Sequence, residues 1–388
     1  MAAFRFTTAG ESHGPGLVAI VEGMPAGLDL DRERLDRDMA RRQLGHGRGG
    51  RMKIESDAVE IRSGVRHGRT LGSPIAVLVA NRDYANWEER MNPWPVDAEI
   101  EEVHTPRPGH ADLAGALKYG HDDVRNVLER ASARETAARV AAGSIAKEFL
   151  RALGVSVHSH VIRIGSVSAP EPDELGPEDF DGVDDSPVRC LDKEAEQAMV
   201  EEIDRLRKAN ESLGGIFEVR AFGLVPGLGS HVSWEEKLDG RLAQALVSIQ
   251  AVKGVSVGEA WEVAALPGSE SHDEIFYSEE LGWHRQTNRA GGVEGGMTNG
   301  ESLVVRGALK PISTLTKPLR SVDTETKEPA QALRERTDST VVPAAGVVGE
   351  AMVALVLARC YREKLGGDHI DDVLAALSAY RERIGWRR

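Results

Sequence analysis

Two histidines lie in turn-like frames stiff enough to hold an imidazole in one place: His13 in Gly10-Glu11-Ser12-His13-Gly14-Pro15-Gly16, and His110 in Pro106-Arg107-Pro108-Gly109-His110-Ala111-Asp112. An imidazole titrates near neutrality, so either can act as a general acid; a purely structural role is the competing reading. Arg41, Arg42, Arg48, Arg51 and Lys53 fall in one short stretch with no acid among them, around Gly45-His46-Gly47-Arg48-Gly49-Gly50. In a chain of formal net charge −14 this is a local reversal of sign. It points to an anion site, against the alternative of a solvated loop with ordinary surface arginines. No Gly-Lys-Ser/Thr follows, which excludes a P-loop, and the glycine spacing is not that of a dinucleotide fingerprint. A second group, Arg125, Arg130, Arg134 and Arg139, is interleaved with Glu129 and Glu135. Pairing at i,i+4 accounts for part of it. Arg130, however, stands just two residues before the helix-capping Ser132, where a cation opposes the helix dipole and is better placed to meet an anion.

Further along, Asn288 to Gly300 holds five glycines in thirteen residues, which suits backbone approaching a flat or anionic ligand, flexible turns being the alternative. Lys310-Pro311-Ile312-Ser313-Thr314 offers a cation and two hydroxyls on a stiffened segment, and Arg336-Thr337-Asp338 puts a cation and a carboxylate on one face of an extended segment. Gly254-Val255-Ser256-Val257-Gly258 spells a nucleophile elbow, but a helical run precedes it and a strand-like Ala260 to Ala264 follows, the reverse of the required order. The histidines His104, His110 and His121, and the pair His158 and His160, have no ligand spacing, so no metal is expected.

These residues must be positioned by a mixture of helices and strands. Strand-like runs occupy Phe4 to Thr8, Leu17 to Glu22, Ala58 to Arg62, Ile75 to Val79, Ile216 to Leu224 and Ser302 to Val305. Helical patterns occupy Asp31 to Gln43, Ser132 to Leu153, Leu191 to Ala209, Trp234 to Ala251, Val347 to Lys364 and Ile370 to Ile384. Ser132 and Glu135 have capping-box spacing, and the alanine-rich run that follows suggests a closely packed central helix. Without strict βαβ alternation the fold class is α+β. The 388 residues contain no Gly/Ser linker and are read as a single domain, 1–388. Within it, residues 166–187 carry eight acids, four prolines and no base, the composition of an exposed excursion. The two cysteines make neither a disulfide framework nor a zinc set, and the start lacks a signal peptide, so a cytoplasmic protein is expected. No membrane span is expected either, because the apolar run Val341 to Ala358 is split by Pro343 and Glu350.

Three segments taken together resemble the signatures of the chorismate synthase family, in the same order and along nearly the whole chain. They are Gly10-Glu11-Ser12-His13-Gly14 followed by Glu22-Gly23-Met24-Pro25; Glu129-Arg130-Ala131-Ser132-Ala133-Arg134-Glu135-Thr136; and Arg336-Thr337-Asp338, ending in Gly349-Glu350-Ala351. Thr337 departs from the Ser or His more usual there. The resemblance implies a β-α-β sandwich with helices between antiparallel sheets, and a homotetramer. It implies a 1,4-elimination of phosphate from 5-enolpyruvylshikimate 3-phosphate giving chorismate, with reduced FMN required although nothing is oxidised overall. It further implies His13 as acid near the departing phosphate, His110 steadying the reduced flavin, and Asp338 assisting the flavin nitrogen that takes the hydrogen. Arg48, Arg107, Arg134 and Arg336 would hold substrate anions. The flavin would meet Arg130, Ala131, Ser132, Gln250, Ala251, Gly295, Lys310, Pro311, Ile312, Ser313, Thr314 and Arg336. Arg42 and Arg48 would meet NADPH, if the enzyme reduces its own flavin. The expected partner is this small molecule, with no nucleic acid and no membrane; the rival is a polyanion-binding module built on the Arg41 to Lys53 patch, to which arginine-rich charge equally lends itself.

Overall fold

Asp31 opens the first helix by accepting from the backbone N–H groups of Glu33 (2.9 Å) and Arg34 (3.4 Å), as an N-cap should. In the computed structural model, which describes residues 4–49, 57–170, 174–335 and 338–386, the helices follow in chain order. They are α1 (Arg32–Gln43), α2 (Asp112–Tyr119), α3 (Arg125–Ala131), α4 (Thr136–Ala152), α5 (Lys193–Lys208), α6 (Leu238–Val247), the short α7 (Ala260–Val263) and α8 (Gly268–Ser271), α9 (Val342–Leu365) and α10 (Ile370–Ile384). Arg51, Lys53, Arg336 and Thr337 lie outside the described residues.

One antiparallel sheet pairs Arg5–Ala9, Gly16–Glu22, Ile75–Ala80 and Glu60–Ile61 in that order, and a second pairs Val252–Val257, Leu303–Leu309, Gly215–Phe222, Ser156–Ile164 and Val167–Ser168. The fold is α+β. Helix α4 packs on the first sheet and α9 on the second, and the two helices pack on each other. They meet at Gly143, where a Cβ would stand 2.6 Å from the Cα of Ala351, so only glycine allows the approach. Their buried residues, with Phe149, Phe217 and Tyr361, form the main core. Small residues on several faces of α4 signalled this packing.

Helix α9 is long and apolar enough to cross a membrane, yet 89% of its most apolar stretch is buried inside the protein. Pro343 does not split it. It occupies the first turn, where a missing N–H costs nothing, and Glu350 sits fully buried in mid-helix on ion-pair partners. Ser132 caps a 3-10 turn, Ala133–Glu135, rather than α4 itself, and the Glu135 side chain turns away to Thr8 and Arg139, so no capping box forms. Strands Ser156–Ile164 and Val252–Val257 were not foreseen. Ala260–Val263, read as a strand, is a helical turn. The order around Ser256 is thus strand then helix, but Ser256 lies inside the strand, opposite Arg306, buried and donating to the Gly258 carbonyl (2.8 Å). It is no nucleophile. The acidic segment is exposed over much of its length, but Phe180, Val183 and Ser186 are buried and Asp184 turns inward to Arg41.

Candidate active site

Ser12 and His13 sit on the turn between the first two strands, and Asn81, at the end of Ile75–Ala80, holds that turn in shape. Its amide nitrogen donates to the carbonyls of Gly14 (2.8 Å), Glu11 (3.1 Å) and Ser12 (3.3 Å). Buried Glu129, on α3, accepts from the His13 backbone N–H (2.8 Å), and both its oxygens lie 3.0 Å from the ring nitrogen Nδ1. The ring stacks on Trp87 with centroids 4.0 Å apart. Arg125 donates to Glu129 (3.0 Å), the i,i+4 pair the spacing suggested, and its guanidinium lies 5.1 Å from the Trp87 ring. Burial acts to raise the Glu129 pKa, but the hydrogen bonds and charge of His13 and Arg125 outweigh it and hold the carboxyl below its ordinary value.

The other side of Asn81 carries the arginines. Its oxygen accepts from Arg134 Nε (2.9 Å), and Arg134 Nη1 donates to both oxygens of Asp57 (2.6 and 2.9 Å). Arg42, at the end of α1, donates to the same carboxylate at 2.5 Å. Burial lowers the Arg42 pKa to about 10; Asp57 opposes this, while the like charges of Arg134 and Arg48 add to it. Its Nε is buried with no partner among the described residues. Arg48 pairs with Asp338 (3.0 Å), which also accepts from the Gly49 N–H. Among the described residues Arg42 and Arg134 share Asp57, and Arg48 pairs with Asp338. Guanidiniums gathered in this way can recognise an anion.

His110 lies against Asp112, whose carboxylate also accepts from Arg107 Nε (2.8 Å). Burial tends to raise Asp112, yet the His110 and Arg107 hydrogen bonds hold it far below the usual carboxylate range. Arg107 is buried and occupied: it reaches Thr314 Oγ1 (3.1 Å) and Glu335 (3.4 Å), and Glu335 lies 3.8 Å from Arg125. Alternating charges thus run from His13 through Glu129, Arg125, Glu335, Arg107 and Asp112 to His110. Lys310 donates through Nζ to the Gly109 carbonyl and through its backbone N–H to the Ala251 carbonyl (3.0 Å), while the Ser212 hydroxyl donates to the Ile312 carbonyl (3.0 Å). The run Lys310 to Thr314 is thereby tied to the His110 turn.

A cavity of about 370 Å³ opens beside Phe6, Thr8, Arg130, Glu135, Arg139 and Gln250. Arg130 braces its wall by donating to the carbonyls of Thr8 (2.9 Å) and Gly10 (3.1 Å); Ser132 caps the Arg134 N–H (3.3 Å), next to Ala131. Gln250 donates to Glu135 (3.3 Å), and its Oε1 is buried with no partner among the described residues, an acceptor waiting for a donor. Ala251 follows with φ +69°. Gly295 adjoins Gly296, whose carbonyl accepts the first N–H of α6, whereas Gln250 lies past the end of that helix, about 15 Å away by helix rise. A Cβ at Gly295 would meet nothing within 4 Å, so the space beside it is open.

The chorismate synthase family model matches residues 4–361. The chain belongs to the chorismate synthase family. It is 56% identical over 377 residues to the chorismate synthase of Alkaliphilus metalliredigens, covering 97% of this chain and 99% of the relative. It is 57% identical over 393 residues to that of Symbiobacterium thermophilum, covering 99% and 100%. A crystal structure of chorismate synthase superposes with a TM-score of 0.80 at 41% identity, covering 99% of each chain. As a member of that family the chain is a carbon–oxygen lyase of the shikimate pathway.

Within the basic patch, Arg41 and Arg42 both turn inward onto carboxylates and so face no polyanion. Arg42, 4% exposed, is held on Asp57, and Arg48 is held on Asp338. Sequence reasoning passed over Glu129, Asp57, Asn81, Trp87 and Asp112 as site residues. Only Glu129 and Asp112 carried a signal, since each stands inside a motif already singled out.

Proposed function

We propose that this chain releases phosphate from 5-enolpyruvylshikimate 3-phosphate by 1,4-elimination, giving chorismate, with reduced FMN as cofactor. The observation that carries the reading is the gathering of the Arg42, Arg48 and Arg134 guanidiniums, the last of them bonded to the same Asn81 that shapes the His13 turn. A substrate with two carboxylates and a phosphate monoester is rich in negative charge, and planar guanidinium is its natural partner.

In this reading Arg48 and Arg134, with Arg336, seat the substrate anions, and His13 gives a proton to the departing phosphate. Asp338, braced by Arg48 and the Gly49 amide, takes up a proton from the cofactor side, and His110, oriented by Asp112, steadies negative charge there. Arg107, tied to Asp112, Thr314 and Glu335, supports the site from behind. Arg130, Ala131, Ser132, Gln250, Ala251 and Lys310 to Thr314 would hold the flavin, and the unpartnered Gln250 acceptor fits a ring N–H. Reduced FMN, when bound, supplies electron density that helps expel phosphate and takes up the ring hydrogen. The sheet, helix, helix, sheet stacking supports the β-α-β sandwich. A homotetramer would cover Ile275, Tyr277 and Trp283, exposed on a two-stranded ribbon.

Mixing the protein anaerobically with photoreduced FMN and this substrate should release phosphate together with the chorismate absorbance; absence of both rejects the reading. His13→Ala and His110→Ala should each slow turnover by roughly 100-fold or more.

A further inference from the structure

The carboxylate of Glu129 does more than neutralise Arg125. It receives the backbone N–H of His13 at 2.8 Å while both its oxygens stand 3.0 Å from Nδ1 of the same residue. One carboxylate therefore grips the main chain and the ring of a single histidine, and Trp87 covers the ring face. Glu129 is itself fixed: it is buried, accepts from Arg125 and stays below the ordinary carboxyl range.

We propose that Glu129 is a positioning residue for His13, which it holds with the proton on Nδ1 so that the proton given to the leaving phosphate is the one on Nε2. The inference rests on the acid role of His13 put forward above. In the step, the C–O electron pair departs with the phosphate, the Nε2 proton passes to a phosphate oxygen, and the imidazolium becomes neutral imidazole with Nδ1–H still on Glu129. Solvent restores the Nε2 proton after the product leaves. A neutral amide at position 129 would spoil this. Its NH2 group can face Nδ1 and favour the neutral ring protonated on Nε2 alone, which would have to become imidazolate to give that proton; an Asp-to-Asn change behind a catalytic histidine in serine proteases likewise selects the wrong tautomer.

The experiment has two arms on the full-length chain. With 15N-labelled histidine, the His13 signals, assigned by their loss in His13→Ala, should report a protonated, hydrogen-bonded Nδ1 in the unaltered protein and a shift toward the Nδ1-unprotonated tautomer in Glu129→Gln. In steady state, Glu129→Gln should lower kcat by about 100-fold, with the substrate KM and FMN affinity changed by less than about 3-fold. Glu129→Asp, which keeps the charge, should recover part of the loss. An unprotonated Nδ1 in the unaltered chain overturns the proposal, whatever the variants do. So does a wild-type kcat in Glu129→Gln. If that variant does not fold, Trp87→Leu serves instead: it keeps the carboxylate, so the Nδ1 signature must persist while kcat falls about 3- to 10-fold. If His13→Ala turns over normally, the acid role falls, and the NMR arm still decides whether Glu129 sets the tautomer.

Discussion

Arg41 and Arg42 are consecutive residues on α1, about 100° apart around the helix, and each enters a buried cluster of charge. Arg41 joins Lys147 and Arg189 around Glu350, with Asp38 and Asp184 alongside and Arg37 on the outer side of Asp184. Arg42 joins Arg134 and Arg48 beside Asp57 and Asp338. The two pKa shifts run in opposite senses. Burial tends to lower both, but Glu350 and Asp38 overcome it at Arg41 and raise that group, while Asp57 alone leaves Arg42 down at about 10. Arg189, behind Arg41, is also lowered to about 10 by burial. The Glu350 cluster holds the fold together, tying α1, α4 and Ser156–Ile164 to the middle of α9. The Arg42 cluster instead adjoins, through Arg134 and Asn81, the turn that carries His13.

The contrast is broken or sharpened by three experiments. Glu350→Gln should have the largest effect, because it leaves buried cations without their shared partner: a loss of about 3–5 kcal/mol in urea denaturation. A loss below about 1 kcal/mol would sink the structural reading of that cluster, since even exposed pairs contribute as much. Arg134→Lys keeps the charge but not the fork. It should cut kcat/KM about 10- to 100-fold, as loss of a charge-assisted hydrogen bond would, while its unfolding midpoint moves much less than that of Glu350→Gln. Equal damage to stability in both would erase the distinction.

The smallest effect is on pH dependence. Glu350 is held well below an ordinary carboxyl: burial acts to raise it, and Arg41, Lys147 and Arg189 prevail. A carboxyl depressed in the folded state contributes its full stability above its unfolded value of about 4.3, and loses it as pH falls through the folded value. Stability to urea should therefore be level from pH 8 to about 5.5 and decline below about pH 4, with a shallower decline in Glu350→Gln. Identical acid limbs in the two proteins would show that Glu350 takes no part.

Much of this was legible in the chain before folding. His13 and His110 stood out because glycine and proline frame them, and the Arg125–Glu129 and Glu135–Arg139 pairs follow from helical spacing alone. The second duty of Glu129, its grip on His13, depends on α3 meeting a turn more than a hundred residues earlier, and no local pattern encodes that. Asp57 and Asn81 were invisible for the same reason: each acquires its role only when α1, the Ile75–Ala80 strand and the Arg134 turn close on one another. Strand Val252–Val257 was missed because its partner, Leu303–Leu309, lies some fifty residues on, and pairing there overrides local preference. The start of α9 was hidden by reading Pro343 as a break when it was a beginning.

Asn81 carries two duties with one side chain. One amide must present hydrogens to a ring of main-chain oxygens and a lone pair to a guanidinium at the same time. The acid of identical shape would confront those oxygens with repulsion, and a chain one carbon longer or shorter would overrun or miss them. A spontaneous loss of ammonia at this single position in an ageing molecule would thus unshape the turn bearing one functional group and slacken the cation beside it together.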